Sequence, residues 1–305
     1  MGYYMNLHKD KENFDIAIRS ASVYFKVSPA IIEKDYYVTL FLSELVKEVP
    51  NLIFKGGTSL SKCYKIINRF SEDIDITLDS NYQTPSRRKE LKKKIIEICK
   101  NFGLNLLNEN NIQSRKDFNQ YEVDYLAVNT EEGVNPHLLI ETVFIVKSFP
   151  DEIKKASSMI YDYLNAVGNK KAIELFELEP FDIRVQKLDR TLIDKVFALC
   201  DYMIDGRTER QSRHIYDISR LLTQVKLDVD LKKLIKEVRQ DRKSGKMCHS
   251  AKDGVKISKL LRQMIDTEIY KKDYKDSTEK LLSNYVSYDE SIEALEIIIK
   301  SGVFD

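Results

Sequence analysis

FKGGTSLSKCYKIINRFSEDIDITLD, residues 54–79, sets a glycine pair and a serine ahead of an amphipathic run and closes on two aspartates that alternate with isoleucine. In a β-strand successive side chains face opposite ways, so Asp73 and Asp75 project together while Ile74 and Ile76 enter a core. Two carboxylates held that close repel one another unless a cation lies between them. Hard divalent cations that prefer oxygen ligands, Mg2+ or Mn2+, suit that place. The turn Gly56-Gly57-Thr58-Ser59 stands at the head of a predicted helix, where backbone N–H groups and the helix dipole favour an anion such as phosphate. Metal carboxylates facing a phosphate cradle point to phosphoryl or nucleotidyl transfer from a nucleoside triphosphate (NTP), in which metal offsets the charge that develops on phosphate oxygens. The competing reading of the aspartate pair is the solvent-facing acidic edge of an amphipathic strand.

Working outward, residues 52–55 predict a short strand, 58–68 a helix with Leu60, Tyr64 and Ile67 on one stripe, and 73–78 a strand. Upstream, Lys11 to about Val49 has helical period, broken at Ser28-Pro29, where proline suits a helix first turn. Downstream, a basic helix follows Pro85 and ends near Gly103, a C-cap candidate. Residues 120–128, 137–146 and 181–186 predict strands, and helical period fills the rest at about 189–204, 213–223, 229–243, 255–270, 276–286 and 288–300. A domain boundary is therefore expected near residue 187, giving an α/β domain over 1–187 and a helical domain over 188–305. The loop Lys243–Asp253 is expected to be mobile.

With 49 basic residues against 48 acidic ones, net charge is +1, so a nucleic-acid surface has to come from local clustering. Cys63, Cys99, Cys200 and Cys248 form no CxxC pair, which argues against a disulfide framework or zinc knuckle and for the cytoplasm. No segment approaches the ~20 apolar residues that cross a bilayer, and the N-terminus lacks an apolar signal region. Met1-Gly2 opens like a myristoylation start, but Asn6 stands where Ser or Thr is required, so lipidation is not expected. The four histidines lack ligand spacing, which argues against a histidine metal site.

Several charges sit in apolar surroundings. Lys195, beside Val196, Phe197 and Leu199, either snorkels to solvent or serves as a point charge on a triphosphate. Asp217, on the stripe of Ile215, Ile218, Leu221 and Leu222, either pairs with Arg213 four residues earlier or acts as a base or metal-linked carboxylate. Glu141, within the strand HLLIETVFIV, needs a cationic partner or a metal. Arg69, Arg207, Arg210 and Arg213 suit phosphate oxygens or belong to a solvated turn. Basic faces over Arg87–Lys94 and Lys232–Lys246 either attract RNA or are solvated helix surfaces. Glu33, Lys34 and Asp35 read as ion pairs anchoring the N-terminal helix.

The run GGTS followed by RFSEDID resembles the nucleotidyltransferase signature of the DNA polymerase β superfamily. More narrowly, Ile32-Glu33-Lys34-Asp35-Tyr36-Tyr37, Lys195 and Arg213-His214-Ile215-Tyr216-Asp217 resemble the AbiEii/AbiGii toxin family, over roughly residues 30–222. The resemblance implies a nucleotidyltransferase fold with a small mixed sheet flanked by helices and followed by a helical domain. It also implies a toxin of a type IV toxin–antitoxin or phage-abortive-infection system that transfers a nucleoside monophosphate from an NTP, with tRNA the acceptor in better understood relatives. A cognate antitoxin encoded in the same operon is expected as partner. Within the family pattern the catalytic set falls on Ser71, Asp73, Lys195 and Asp217, with Asp75 as second metal-directed carboxylate. The wider superfamily draws a third carboxylate from a later strand, Glu141 or Asp124. Two other functions remain open to the same residues: a noncatalytic nucleotide-binding interaction protein, and a transferase that modifies protein hydroxyls, its own Ser71 among them.

Overall fold

The computed structural model describes residues 6–112, 117–131 and 133–305; the Met1-Gly2 start lies outside them. The chain divides into two units: one takes the chain up to Tyr64 with Ser71–Phe144 and Glu152–Val185, the other Lys65–Phe70, Ile145–Asp151 and Gln186–Asp305. A single boundary near residue 187 does not include the two short inner segments of the second unit.

In the first unit α1 (Lys11–Phe25) starts on Asp10, whose side chain accepts from Asn13 N–H, and α2 (Pro29–Glu48) starts on Ser28 with Pro29 in its first turn. β1 (Leu52–Lys55) runs into α3 (Gly56–Ser59), which continues as a π-helical turn over Leu60–Tyr64. There follow β2 (Ile74–Leu78), α4 (Pro85–Phe102), β3 (Asn105–Leu106), β4 (Phe118–Asp124), β5 (His137–Val143), β6 (Asp151–Ala156), α5 (Met159–Ala166), α6 (Lys170–Leu175) and β7 (Phe181–Gln186). The strands make one seven-stranded mixed sheet in the order β3-β4-β5-β2-β1-β7-β6. The fold is thus the α/β class expected, with β3 and β6 added to the strands read from the sequence.

Register explains why the alternation in residues 73–78 is so clean. Ile74 and Ile76 are buried among Phe54, Ile140, Val185 and helix residues Phe41, Leu42 and Leu45, whereas Asp75 points to the other face. Each such apolar side chain contributes about 1.5–3 kcal/mol on burial. A slip of one residue would turn the aspartates into that core, so the pattern fixes the register.

Several predicted ends move for local reasons. The strand expected over 120–128 stops at Asp124, whose carboxylate accepts from Leu126 N–H at 2.8 Å while Leu126 takes a left-handed φ of 55°. The helix expected over 58–68 starts at Gly56 and stops at Tyr64, because Lys65 is left-handed at φ 56°. Gly103 is the left-handed C-cap of α4, as expected.

The second unit is helical: α7 (Leu188–Ile204), α8 (Arg213–Leu221), α9 (Val229–Arg242), α10 (Ile257–Thr267), α11 (Lys271–Asp273), a π-helical turn over Tyr274–Thr278, α12 (Glu279–Leu281) and α13 (Tyr288–Ser301). α8 packs between α7 and α13 through Ile215, Ile218 and Leu221, all fully buried. The helix expected over 276–286 ends at Leu281, because residues 281–283 pair instead with 68–70. Phe70 N–H donates to Leu281 O at 2.8 Å and Ser283 N–H to Asn68 O at 2.8 Å. The loop expected to be mobile is docked: Ser250 is buried, its N–H and hydroxyl both donating to Asp201. Among the described residues no helix is long and apolar enough to cross a membrane.

Candidate active site

Asp75 lies between Lys55 of β1 and Glu141 of β5 in the sheet register, and Gln120 of β4 lies beyond Glu141. Because residues in register share a face, Lys55, Asp75, Glu141 and Gln120 form a row across four strands. Gln120 Nε2 donates to Glu141 Oε1 at 2.9 Å. Burial, then the charges of Asp75 and Asp73, push the Glu141 carboxyl up to about 7, and a hydrogen bond joins it to Asp75. Glu141 thus carries a proton into the neutral range to relieve the crowding of three carboxyl groups. Asp73 stands one residue before β2, half-buried like Asp75. Asp124, the other candidate, is opposite His137 at the far end of β4, and the structure brings Glu141 beside Asp75 instead.

Gly56 explains the glycine in the signature. Its φ is +78°, and a Cβ there would stand 1.9 Å from Asp75 Oδ2. No L side chain is accommodated, so the chain leaves β1 in contact with the acidic row only because this residue has none. Thr58 and Ser59, expected to face phosphate, are fully buried and bonded locally: the Thr58 and Ser71 hydroxyls are 3.0 Å apart, and Ser59 donates to Gly56 O at 2.9 Å. They shape the turn. Gly57, within α3, is half-buried.

Among the described residues no three His, Cys, Asp or Glu side chains are already drawn into a metal-holding group. The donors nevertheless fit a hard divalent cation. They are carboxylate oxygens alone, with Asp75 and Glu141 side by side in register on one face of the sheet.

The second unit holds a separate cluster. Arg69 grips Asp217 with two prongs, Nε to Oδ1 and Nη2 to Oδ2, both at 2.7 Å, and Lys195 Nζ reaches Asp217 Oδ2 at 2.6 Å. Arg69 Nη1 also donates to Phe70 O at 3.0 Å. Asp217 is wholly buried, and Arg69 and Lys195 are each 6% exposed. Burial pushes the Asp217 carboxyl up, but Arg69 and Lys195 outweigh it and hold the group well below the usual carboxylate range. A carboxylate so engaged is a weak base and a strong anchor. Burial lowers Lys195, with Asp217 partly restoring it. Arg213 adds a further positive field at Lys195. Beyond the Arg213–Asp217 pair that the sequence suggested on one helix, Asp217 is tied to residues 148 and 22 positions away.

Sequence reasoning did not find Gln120, Tyr216 or the Lys34–Glu72 pair. Tyr216 hydroxyl accepts from Asn68 N–H at 3.0 Å. Lys34 itself was read as ion-paired, but its partner 38 positions away was not. Both basic faces are largely engaged within the protein: Arg88 with Asp117, Lys94 with Glu48, Arg242 with Asp194 and Asp201, Lys243 with Asp253. Arg207 likewise pairs with Asp205, and Arg210 offers its N–H to Asp273.

A family model described as the nucleotidyl transferase AbiEii toxin of type IV toxin–antitoxin systems matches residues 40–294. The match extends beyond the 30–222 range of the sequence resemblance at its C-terminal end, and Glu33, Lys34 and Asp35 fall outside it. Among solved structures the chain is similar to MenT4, a nucleotidyltransferase toxin from Mycobacterium tuberculosis H37Rv, at 14% identity and a TM-score of 0.45, covering 93% of this chain and 98% of that one. No curated protein matches.

Proposed function

The chain belongs to the AbiEii family of nucleotidyltransferase toxins of type IV toxin–antitoxin systems, and on that premise we propose that Asp73, Asp75 and Glu141 hold the Mg2+ or Mn2+ ion for transfer of a nucleoside monophosphate from an NTP to tRNA. The observation that carries this reading is the pairing of Asp75 with Glu141 across two parallel strands, closed on one side by a glycine that leaves room for no side chain.

When bound, the ion offsets charge on the triphosphate oxygens and so favours departure of pyrophosphate. The protein's own part is positional. Asp73, Asp75 and Glu141 would hold the cation, and Gln120 fixes beside Asp75 the Glu141 carboxyl, from which a proton would leave when the ion binds. Gly56 and Gly57 bring backbone close to the row, and Thr58 and Ser59 keep that turn in shape. In the helical unit Asp217 fixes Arg69 and Lys195 side by side. We assign those two cations, with Arg213, an affinity for phosphate oxygens, and Asp217 the anchoring of both. The antitoxin is the protein partner that a toxin of this class implies, and we place the pair in the cytoplasm.

The test is transfer of label from each of the four NTPs, α-labelled, to total RNA and to purified tRNA, with the wild type and Asp73→Asn and Asp75→Asn. Label on tRNA that both variants and EDTA abolish is expected. Equal labelling by wild type and Asp73→Asn sinks the assignment. Label found by mass spectrometry on the protein itself, at Ser71 near the Thr58 hydroxyl, would move the acceptor from RNA to protein.

A further inference from the structure

Lys34 of α2 is 0% exposed, although an apolar side chain at this point of the helix would pack without cost to solvation. Its ammonium pairs with the Glu72 carboxylate and donates to Asn135 O at 2.7 Å. Glu72 is the residue before Asp73, and Asn135 is two residues before β5, the strand that carries Glu141. β2 and β5 are parallel neighbours, so one buried cation ties together the entries of the two strands that bear the acidic row. Asp73 lies within its electrostatic reach.

The adjoining residue strengthens the same tie. Glu33, also buried, accepts from the N–H groups of Val128 and Asn129 at 3.0 and 2.8 Å and from the Asn129 side chain at 2.8 Å, fixing the connection from β4 to β5. A charge taken out of water is costly unless it is fully bonded, so the Lys34–Glu72 pair is weak evidence for stability, while its bonds do join the approaches to both strands of the row.

We propose that Lys34 is a positioning residue for nucleotidyl transfer: through Glu72 and the Asn135 carbonyl it sets the spacing of Asp73 and Asp75 from Glu141, and thereby the affinity of the site for its divalent cation. The inference rests on the acidic row being the metal site.

Mn2+ binding to the substrate-free protein, followed by the loss of the free-ion paramagnetic resonance signal, tests it alongside the transfer assay. Glu72→Gln keeps the shape of the side chain and serves if Lys34→Met fails to fold. Partners that act through a metal ligand change its affinity by about 10–100-fold. We therefore expect Glu72→Gln and Lys34→Met each to weaken Mn2+ binding at least ~10-fold, with the double variant no weaker than Lys34→Met. Mn2+ bound by Glu72→Gln as tightly as by the wild type overturns the positioning role, even if melting temperature falls. Mn2+ bound equally by Asp75→Asn and wild type, or by neither, overturns the metal-site reading and this inference with it.

Discussion

Arg69 and Asp217, 148 residues apart, form a two-pronged ion pair in which neither partner is exposed beyond 6%. Lys195 completes it from α7. Two cations thus share one carboxylate, and removing that anchor takes a buried counter-charge from both. Asp217→Asn is expected to destabilise the helical unit by about 3–5 kcal/mol, the usual cost of stripping one partner from a buried pair. Thermal unfolding followed by circular dichroism checks this. A loss of activity with an unchanged melting curve would instead make Asp217 a participant in the chemistry.

Gly56→Ala sets a methyl group against Asp75 Oδ2 and asks an L residue to hold φ +78°. The backbone strain alone is about 1–3 kcal/mol. Relief of the contact must move Asp75, and a displacement of about 1 Å at a reacting centre can cost ~100-fold in rate. The expected outcome is a folded protein with transfer reduced about that much at saturating metal. Gly103→Ala, also at a left-handed position but with open space around it, is the control: it should lose stability and keep its rate per folded molecule.

Local chemistry made much of the fold legible. The alternation of 73–78 gives a strand because its isoleucines face a core, and Ser28-Pro29 and Gly103 mark helix ends by their own dihedral preferences. What stayed hidden is set by contacts distant in sequence. Glu141 gains its neighbour only from the parallel register of β2 and β5, and Asp217 gains its partners only when 65–70 pass into the helical unit. The helix expected to reach Val286 stops early because residues 281–283 pair with 68–70, a stretch that the sequence also assigned in part to a helix. Periodicity carries no trace of such pairing. The row of Asp73, Asp75 and Glu141 could be named as candidates from the sequence, whereas the ties of Asp217 to Arg69 and Lys195 could not.

Glu141 predicts how stability responds to pH. Its folded carboxyl is raised to about 7 by burial and by Asp75 and Asp73, above the unfolded glutamate value near ~4.3. Between those values the folded state binds more protons, so metal-free stability falls as pH rises from about 4.5 to 7, at up to about 1.4 kcal/mol per unit. Denaturant midpoints in EDTA at several pH values should show this decline, flattened in Glu141→Gln. Mg2+ should raise the midpoint more at pH 8 than at pH 6, since the ion competes with the proton for the same oxygens. A metal response independent of pH would remove Glu141 from the cation site.

The basic faces of α4 and α9 offer a discriminating prediction about RNA. On α4, Arg87 bonds Glu90, Lys93 bonds Glu97 and Lys94 bonds both Glu48 and Glu97. Arg88 pairs with Asp117 and lies 4.6 Å from the centre of the Phe144 ring. For Arg87, Arg88, Lys93 or Lys94 to neutralise a phosphate, each must first leave an acidic partner, and the net gain in counterion release from these four is small. Each phosphate neutralised on a single strand changes the slope of log affinity against log salt by about 0.7. Binding of tRNA to a variant carrying Arg87→Ala, Lys93→Ala and Lys94→Ala should therefore keep the wild-type salt slope to within about one such contact. A slope reduced by about two units, three contacts' worth, would identify α4 as the RNA footprint. An unchanged slope directs the search to Arg69, Lys195 and Arg213, two of which are held ready by a single buried aspartate.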